Sequence, residues 1–436
     1  MKRPIVISLL VIAMAFVCLG IGAVIFFAAN GGFATNNPFD VRNISSTLEE
    51  SKTFEVDAKK TVSLRVDNAA GEVTITGAEV DTVQVRVVKT AYDSTQARAD
   101  QEVKSIKYTI EQTGNSITLK YELPKSMNFS NKVNTVDFFV TVPTETAVNI
   151  NSNFGAVSVT NVAGNADIAN DFGDVDVENL EGALSVTNDS GEVTATSIKA
   201  GDNDIDLHSD FGAVTLQNAS GNHVTLDSNS GTITLEDVRA TGDIITNTDF
   251  GDTSFENGSG DSLSVETNSG RVSLVKVRVR EEVRVQDDFG EIELDQALAS
   301  FYDLYTNSGS IIVVSPTGNL KAHTDFGSIR IHNAEEVTLD VKTSSGSVDF
   351  SGSLGDGPHM VMSDFGEIIL SLPADAKLNV DLSTDFGNIE SDLPITVTIT
   401  ETSKSDGSQI VGSINGGGGQ FTAHTNSGSV TIHVSK

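Results

Sequence analysis

The sequence has 436 residues, with 60 acidic against 28 basic residues and a formal net charge of −32. A chain this acidic lacks the basic face that phosphate binding requires, which argues against nucleic acid as a partner. The single cysteine, Cys18, excludes an internal disulfide and a cysteine metal site, so a hydrophobic core has to provide the stability.

The N-terminus predicts a membrane anchor. Residues 1–4 include Lys2 and Arg3 and form a short cytoplasmic end, and residues 5–29 are uncharged and mostly apolar. As a helix this run would extend about 37 Å, enough to cross a bilayer, and it is longer than the roughly 7–15 apolar residues of a cleaved signal peptide. We therefore predict a single-pass protein of the cell membrane with a cytoplasmic N-terminus and an extracytoplasmic bulk, a cleaved signal being the alternative. Residues 30–47, with Gly, Asn and Pro, are predicted to form a stalk.

Residues 48–147 alternate with the period of β-strands, with one interruption. Residues 62–66, 83–87, 117–121 and 136–142 alternate apolar and polar side chains. Residues 94–105 break this pattern and predict a short helix capped by Ser94, with Ala99 and Val103 among its apolar residues. We interpret 48–147 as an irregular β entry region and N-terminal cap that covers the open end of a repeat structure.

From residue 148 onward a turn that ends in glycine recurs in steps of 18 to 21 residues. The turn glycines are Gly155, Gly173, Gly191, Gly212, Gly231, Gly251, Gly270, Gly290, Gly309, Gly327, Gly346, Gly366 and Gly387, and the pattern returns at Gly428. Apolar residues five and seven positions before the glycine, and two and four after it, give each repeat two short strands with one apolar side. The sequence thus predicts an all-β fold, a parallel β-solenoid of about 19–20 residues per coil, over residues 148–387.

A Ser or Thr stands three positions before the glycine in most repeats, as in Ser209, Ser228 and Thr343. By parity this column points into the solenoid. Stacked hydroxyls are expected to hydrogen-bond one another from coil to coil.

The residue just before the glycine alternates between Phe and Ser, as in Phe211 and Ser230, and the residue before that alternates between Asp and Asn, as in Asp210 and Asn229. A coil of about 39 residues would stack Asp on Asp at about 4.8 Å, where like charges repel. A coil of about 19 residues stacks Phe on Ser and Asp on Asn. We predict the shorter coil, in which large and small residues alternate in one column without crowding.

Residues 388–436 depart from the rhythm. Two Phe copies follow each other at Phe365 and Phe386, and 41 residues separate Gly387 from Gly428. Residues 396–400 are predicted as a strand, 403–408 and 416–419 as loops, and 421–434 as a last coil. We interpret 388–436 as C-terminal coils and a cap.

The candidate metal ligands belong to the Asp/Asn column. Calcium takes several carboxylate and carbonyl oxygens, but carboxylates two rungs apart lie about 10 Å from each other and cannot share an ion. Sharing requires Asp on adjacent rungs, which the repeat predicts for Asp171 with Asp189 and for Asp364 with Asp385. The alternative is that Asp and Asn before Gly stabilise tight turns. We favour turn chemistry and expect no cofactor, with calcium as the alternative.

Catalytic motifs are missing from the sequence. It contains no Gly-rich phosphate loop, nucleophile elbow or zinc signature. It has no Trp, the usual platform for stacking sugars, and carboxylates are too abundant for any pair to stand out. We predict no catalytic residues and no enzymatic activity.

Several stretches resemble a known family. They are Val-Thr-Val-Pro at residues 140–143, the repeated Gly-x-Val-x-Val turns, and an ending with Thr-Asn-Ser-Gly at residues 425–428. Over about residues 53–436 the chain is similar to a bacterial, membrane-anchored β-strand-repeat family of unknown function whose members are often labelled as adhesins. The resemblance implies a right-handed β-solenoid on an envelope protein and offers no catalytic residues.

Three functional hypotheses follow. We expect a non-enzymatic, adhesin-like binding protein of the cell envelope that displays the solenoid outside the membrane and binds an unidentified envelope or cell-surface protein or glycan. The alternative is an accessory or sensor component of an envelope stress response, against which stands the short cytoplasmic end. The third is a polysaccharide-acting β-solenoid enzyme, against which stands the composition described above.

Overall fold

The structure is a computed structural model that describes residues 44–123, 132–403 and 407–435. These residues form 36 strands and one helix, as the all-β prediction requires. No helix within them is long and apolar enough to cross a membrane. The predicted cytoplasmic end at 1–4, the anchor at 5–29 and residues 30–43 of the predicted stalk lie outside the described residues.

The elements fall into three groups along the chain. The first group is β1 (Ile44–Glu55), β2 (Val62–Asn68), β3 (Val73–Ala78), β4 (Thr82–Asp93), α1 (Gln96–Ser105), β5 (Tyr108–Thr113), β6 (Ser116–Tyr121) and β7 (Thr135–Pro143). The coils in sequence order are built from β8 (Thr146–Phe154), β9 (Val157–Ala163), β10 (Ala166–Phe172), β11 (Val175–Glu181), β12 (Leu184–Ser190), β13 (Val193–Lys199), β14 (Ile205–Phe211), β15 (Val214–Gly221), β16 (Val224–Ser230), β17 (Ile233–Ala240), β18 (Ile244–Phe250), β19 (Thr253–Gly260), β20 (Leu263–Ser269), β21 (Val272–Val279), β22 (Glu282–Phe289), β23 (Ile292–Asp295), β24 (Phe301–Ser308), β25 (Ile311–Val314), β26 (Thr317–Phe326), β27 (Ile329–Ser345), β28 (Val348–Leu354), β29 (His359–Phe365) and β30 (Ile368–Leu372). The last group is β31 (Leu378–Phe386), β32 (Ile389–Ser391), β33 (Ile395–Ser403), β34 (Gly407–Ile414), β35 (Gly419–Ser427) and β36 (Val430–Val434).

Each coil contributes one strand that runs into the turn glycine and one that leaves it. The strands that precede the glycine pair in parallel as the front sheet, and those that follow it pair in parallel as the back sheet. In the front sheet Phe211 pairs with Ser230, and in the back sheet Val214 pairs with Ile233. The shorter coil, and with it the parallel β-solenoid, is confirmed.

The core is filled by the inward side chains of both sheets. The coil of β16 and β17 buries Val224, Leu226, Ile233, Leu235 and Val238. Because side chains alternate sides along a strand, every second residue faces inward, and stacking coils joins these residues into one continuous column. A single apolar cluster accordingly runs from the first coils to the last.

The turn glycines bring the backbones of neighbouring coils into contact. A Cβ at Gly231 would overlap the carbonyl oxygen of Gly212, and a Cβ at Gly309 would overlap that of Gly290. The amide of Gly231 donates a hydrogen bond to the carbonyl of Phe250 at 3.1 Å in the next coil. The glycine period of the sequence therefore marks the places where no side chain fits.

In the coils from Gly155 to Gly327 the chain bends at a second corner, six residues after the glycine, where the backbone adopts positive φ. Asn and Asp tolerate this left-handed conformation better than other residues that carry a side chain. The residues at this corner are Asn161, Asn179, Ser197, Asn218, Asp237, Asn257, Lys276, Gln296, Ser315 and Asn333. We did not predict this corner, although the recurring Asn was a signal for it.

The Ser/Thr column is buried as predicted, but its hydrogen bonds differ from the prediction. Ser209 Oγ donates to the carbonyl of Gly191 at 3.0 Å, and Thr343 Oγ1 donates to that of Gly327 at 2.9 Å. The glycine carbonyl of the preceding coil lies within hydrogen-bond distance of these hydroxyls and accepts their hydrogen bonds instead. The prediction of hydroxyl-to-hydroxyl bonds was wrong.

At the N-terminal end the spatial order of the coils differs from the chain order. The coil of β2 and β3 lies between the coil of β8 and β9 and an outermost coil made by β6 and β7. Antiparallel strands occupy the edge of that outermost coil, with β4 on β7, β1 on β4 and β5 on β6. The helix α1 packs against β1 and β4.

Two details of this end correct the sequence predictions. Strand β1 begins at Ile44, inside the segment predicted as a stalk, because residues 44–55 pair with β4 across a distant stretch of chain. The N-cap of α1 is Thr95 rather than Ser94, since the Thr95 hydroxyl accepts a hydrogen bond from the Arg98 amide at 3.4 Å.

The C-terminal end shows the same kind of exchange. Strand β35 pairs with β29 on one side and β31 on the other, and β36 likewise pairs with β30 and β32. The coil at 421–434, predicted to be the last, therefore lies between the coils of β29 and β31. Beyond β31 the front sheet continues in antiparallel strands β34 and β33, of which β34 was not predicted.

Candidate functional site

A column of phenylalanine side chains stands on the outside of the solenoid, next to the turn glycines. Their exposed fractions run from 42% to 76%. The members of this aromatic column are Phe154, Phe172, Phe211, Phe250, Phe289, Phe326, Phe365 and Phe386. Isolated exposed apolar residues are ordinary, but a contiguous row of this kind is typical of a binding surface.

Serine fills the rungs between these rings. Ser230 pairs with Phe211 on one side and Phe250 on the other, and Ser345 pairs with Phe326 and Phe365. Since rungs are about 4.8 Å apart, successive Phe rings are spaced by about 9.6 Å. The aromatic column is therefore a row of ridges separated by gaps one rung wide.

The alternation holds in space even where it fails along the chain. Phe365 and Phe386 are consecutive copies in sequence, yet Ser427 pairs with both of them because β35 lies between β29 and β31. The one place where two rings share neighbouring rungs is the N-terminal end, where Phe154 and Phe172 stack with centroids 5.2 Å apart and ring planes within 5°.

A second column of Asp and Asn accompanies the rings, one residue earlier in the strand. Asn229 Nδ2 donates to Asp210 Oδ1 at 2.8 Å, and Asn268 Nδ2 donates to Asp249 Oδ1 at 2.8 Å. Most rungs that carry Phe carry Asp, and most rungs that carry Ser carry Asn. We call this row the acid column. It places negative charge directly beside the exposed rings.

The candidate metal ligands occupy the acid column, and the structure separates the two predicted pairs. Asp171 and Asp189 do lie on neighbouring rungs, since Phe172 pairs with Ser190. Burial raises the pKa of the Asp171 carboxyl, and the negative charge of Asp189 raises this pKa further. Asp364 and Asp385 are not neighbours, because the rung of Asn426 lies between them and Asn426 Nδ2 donates to Asp364 Oδ1 at 3.4 Å. The predicted adjacency of that pair was wrong.

A shallow groove of about 450 Å³ lies on the front sheet between β14 and β24. Its carboxylates include Asp227, Asp249, Glu266 and Asp288, with amides between them, so it presents a negative surface to the solvent. Within the described ranges, no three His, Cys, Asp or Glu residues are placed to hold a metal ion together. The groove does not have the geometry of a metal centre.

One residue of the groove departs from the pattern of the repeat. Asp287 occupies the position of the buried Ser/Thr column, with Thr267 and Thr306 on the adjacent rungs, and is 1% exposed. Its Oδ1 accepts the Phe289 amide at 3.0 Å, and its Oδ2 has no hydrogen-bond partner. Burial raises the pKa of the Asp287 carboxyl to about 6. In most coils the hydroxyl at this position donates to a glycine carbonyl, which a carboxylate cannot do.

Calcium provides a direct test of the acid column. Two carboxylates supply too few of the six to eight oxygens that calcium takes, so we expect the full chain to bind calcium no more tightly than about millimolar. Isothermal titration should show no stronger site, and EDTA should leave the melting temperature unchanged. Micromolar binding that is lost in Asp189→Ala, but kept in the control Asp206→Ala, would contradict this expectation.

Sequence reasoning placed Phe and Ser in one column but did not recognise the column as an exposed surface. Along β14 every second side chain is buried as far as Ser209. Beyond it, Asp210 is half-buried and Phe211 is exposed. The strand turns its corner there, so strand parity no longer applies. The sequence did contain a signal of this exposure. A buried column needs side chains of similar volume on successive rungs, and an alternation of Phe with Ser does not provide that.

The fold and this face define the protein as a β-solenoid that carries a long row of exposed aromatic rings. The chain belongs to the Toastrack DUF4097 family, whose model matches residues 184–318 and 281–433. This confirms the resemblance to a β-repeat family of unknown function. No curated protein matches the chain.

Two solved structures are similar to the chain. One is of a proposed cell adhesion protein from Clostridium sporogenes, at 10% identity and a TM-score of 0.19, covering 89% of this chain and 99% of the other. The second is of a proposed adhesin from Bacteroides fragilis, at 13% identity and a TM-score of 0.25, covering 65% of this chain and 96% of the other. These superpositions are too loose to inform on this chain.

Proposed function

We propose that this protein is a non-enzymatic, adhesin-like binding protein of the cell envelope. Its solenoid is displayed outside the membrane on the anchor at 5–29, and it binds an envelope or cell-surface protein or glycan through the aromatic column. The right-handed sense of the coil, the single-pass topology and the absence of a cofactor are parts of the same proposal.

The observation that carries this proposal is the aromatic column itself. Eight rings remain outside the core although the same strands bury apolar residues on their inner side. Full burial of a Phe side chain is worth roughly 1.5–3 kcal/mol, and each of these rings, 42–76% exposed, forgoes a part of it. The net charge of −32 opposes aggregation of the solenoid through this stripe, which leaves the stripe available to a partner.

The acid column supports a role in binding more than one in catalysis. Asp210 and Asp249 accept hydrogen bonds from asparagine amides, which orients them within the turn. His208 and His323 contact Asp210 and Asp325 of their own rungs at 3.1 and 3.3 Å. These pairs repeat along the rod without converging on one point, whereas a catalytic centre brings its acid, base and nucleophile together.

Crosslinking of the intact protein in its own cells tests the proposal. We expect the full chain to capture an envelope or cell-surface protein or glycan, and the double variant Phe250→Ser with Phe289→Ser to lose most of that capture. The matched control is Ile245→Ser with Met360→Ser, which removes exposed apolar side chains of the front sheet that lie off the column. Turnover of a cell-wall or capsule glycan by the purified chain would contradict the proposal, as would recovery of a membrane signalling protein alone.

A further inference from the structure

The aromatic column has the geometry of half a zipper. Its Phe rings are about 9.6 Å apart with only a Ser between them, so one further ring fits into each gap at about 4.8 Å from both neighbours. Aromatic pairs prefer centroid separations of about 4.5–7 Å. Phe154 and Phe172 show this spacing within the chain itself, stacked at 5.2 Å on adjacent rungs.

We propose that the aromatic column binds a second copy of this chain, with the Phe rings of each copy inserted over the Ser rungs of the other. This inference rests on the proposed role of the column as a binding surface and names the partner. The two faces are complementary because ridge and gap alternate with one period over the whole stretch from Phe172 to Phe386.

Inserting each Phe ring over a Ser rung of the partner shifts one copy by one rung, and the charges of the acid column favour this shift. With this shift Asp210, beside Phe211, lies opposite an Asn of the partner. Without the shift, Asp would lie opposite Asp. Asn229 uses one amide N–H for Asp210, and an asparagine amide has two. Along most of the column the shift therefore brings a donor to each carboxylate instead of a like charge.

The available area is that of a stable interface. Seven Phe rings from Phe172 to Phe386 are between 42% and 76% exposed. At about 200 Å² for each full side chain, they present roughly 850 Å² of apolar surface on each copy. A standard protein interface takes about 800 Å² from each partner.

Symmetry selects the antiparallel arrangement. A two-fold axis along the rods sets equal rungs side by side, which opposes Phe to Phe. A two-fold axis across the rods, placed between two rungs near the centre, opposes Phe to Ser at every rung except one at the end of the column and closes the dimer. Since the proposed anchor of each copy lies at its N-terminal end, the two anchors lie at opposite ends of the pair, and the dimer joins two facing membranes.

The test begins with sedimentation of the purified full chain in detergent. We expect a dimer at micromolar concentration, a monomer for Phe250→Ser with Phe289→Ser, and a dimer for the control Ile245→Ser with Met360→Ser. Added salt should strengthen the dimer, since each copy has a net charge of −32. A monomeric wild-type chain overturns the zipper, as does a dimer that both double variants retain.

A variant that fills the gaps distinguishes specific interdigitation of the rings from nonspecific hydrophobic association. Ser230→Phe with Ser308→Phe adds apolar surface but blocks two of the gaps. We expect the dissociation constant to rise at least tenfold, and an unchanged or lower constant overturns the proposal.

The relative orientation of the two copies is tested by crosslinking variants that carry a single cysteine in a Cys18→Ser background. A short bis-maleimide should join two copies through Ser269→Cys or Ser308→Cys near the centre of the column, and not through Ser190→Cys or Ser427→Cys near its ends. Equal crosslinking at all four positions contradicts the antiparallel pair. The zipper and the proposed function fail separately, because a monomer that still captures an envelope partner through Phe250 and Phe289 overturns only the zipper.

Discussion

Replacing Gly309 by alanine is expected to lower the free energy of unfolding by about 3 kcal/mol, the upper end of the usual range for overpacking. The added Cβ would overlap the carbonyl oxygen of Gly290 in the preceding coil. A backbone atom cannot rotate away as a side chain does, so the two coils must separate at this point. Urea unfolding followed by circular dichroism measures the change.

Gly221→Ala is the matched control. Its Cβ would meet its nearest atom, the carbonyl oxygen of Asn203, at 3.1 Å, so a small shift accommodates it. We expect this variant to lose less than about 1 kcal/mol. Equal stability of Gly309→Ala and the wild-type chain would show that the coils do not approach as closely as described.

Replacing Asp287 by threonine is expected to stabilise the solenoid at neutral pH. The folded state raises the pKa of this carboxyl to about 6, above the ordinary value of 3.8, because the side chain is buried. A group whose pKa rises on folding contributes stability below its unfolded pKa, and that contribution is lost as pH rises through the folded pKa. The wild-type chain should therefore lose about 2 kcal/mol from this group between pH 4 and pH 7.

Asp287→Thr removes this pH-dependent loss of stability. It also restores a hydroxyl that can donate to a glycine carbonyl, as Thr306 Oγ1 donates to the Gly290 carbonyl at 3.2 Å. Thermal melts at pH 4 and pH 7 should show a difference between variant and wild type that grows with pH. Asp206→Asn, at an exposed site on the same sheet, controls for the loss of one charge. A stability difference that is equal at both pH values would contradict the buried carboxyl as its cause.

The regular coils could be predicted from the sequence because each of their features is local. Gly231 and its equivalents recur at a fixed step, and the apolar residues around them alternate with the period of a strand. Register then follows from repetition, so the pairing of Phe211 with Ser230 was predicted correctly.

The ends could not be predicted in the same way. The insertion of β35 between β29 and β31 depends on which distant strand leaves room for it, and no local period encodes that choice. The error about Asp364 and Asp385 follows from this, since chain order was taken for spatial order. The strand within the predicted stalk has the same explanation, because residues 44–47 pair with the distant strand β4.

The candidate site was predicted only in its composition. The Phe, Ser, Asp and Asn positions were all identified, yet the exposure of the rings depends on where the strand turns its corner. That corner follows Ser209, whose buried hydroxyl donates a hydrogen bond to the Gly191 carbonyl of the preceding coil. Strand alternation alone does not locate this corner, so the exposure of Phe211 was not predicted.

The central claim is that this protein makes its contacts through the aromatic column. A photo-reactive phenylalanine analogue at Phe250, compared with the same analogue at Ile245 of the same strand, tests it in intact cells that produce the full chain. We predict covalent adducts from position 250 and few or none from position 245. Equal adducts from both positions, or adducts from position 245 alone, would contradict the claim.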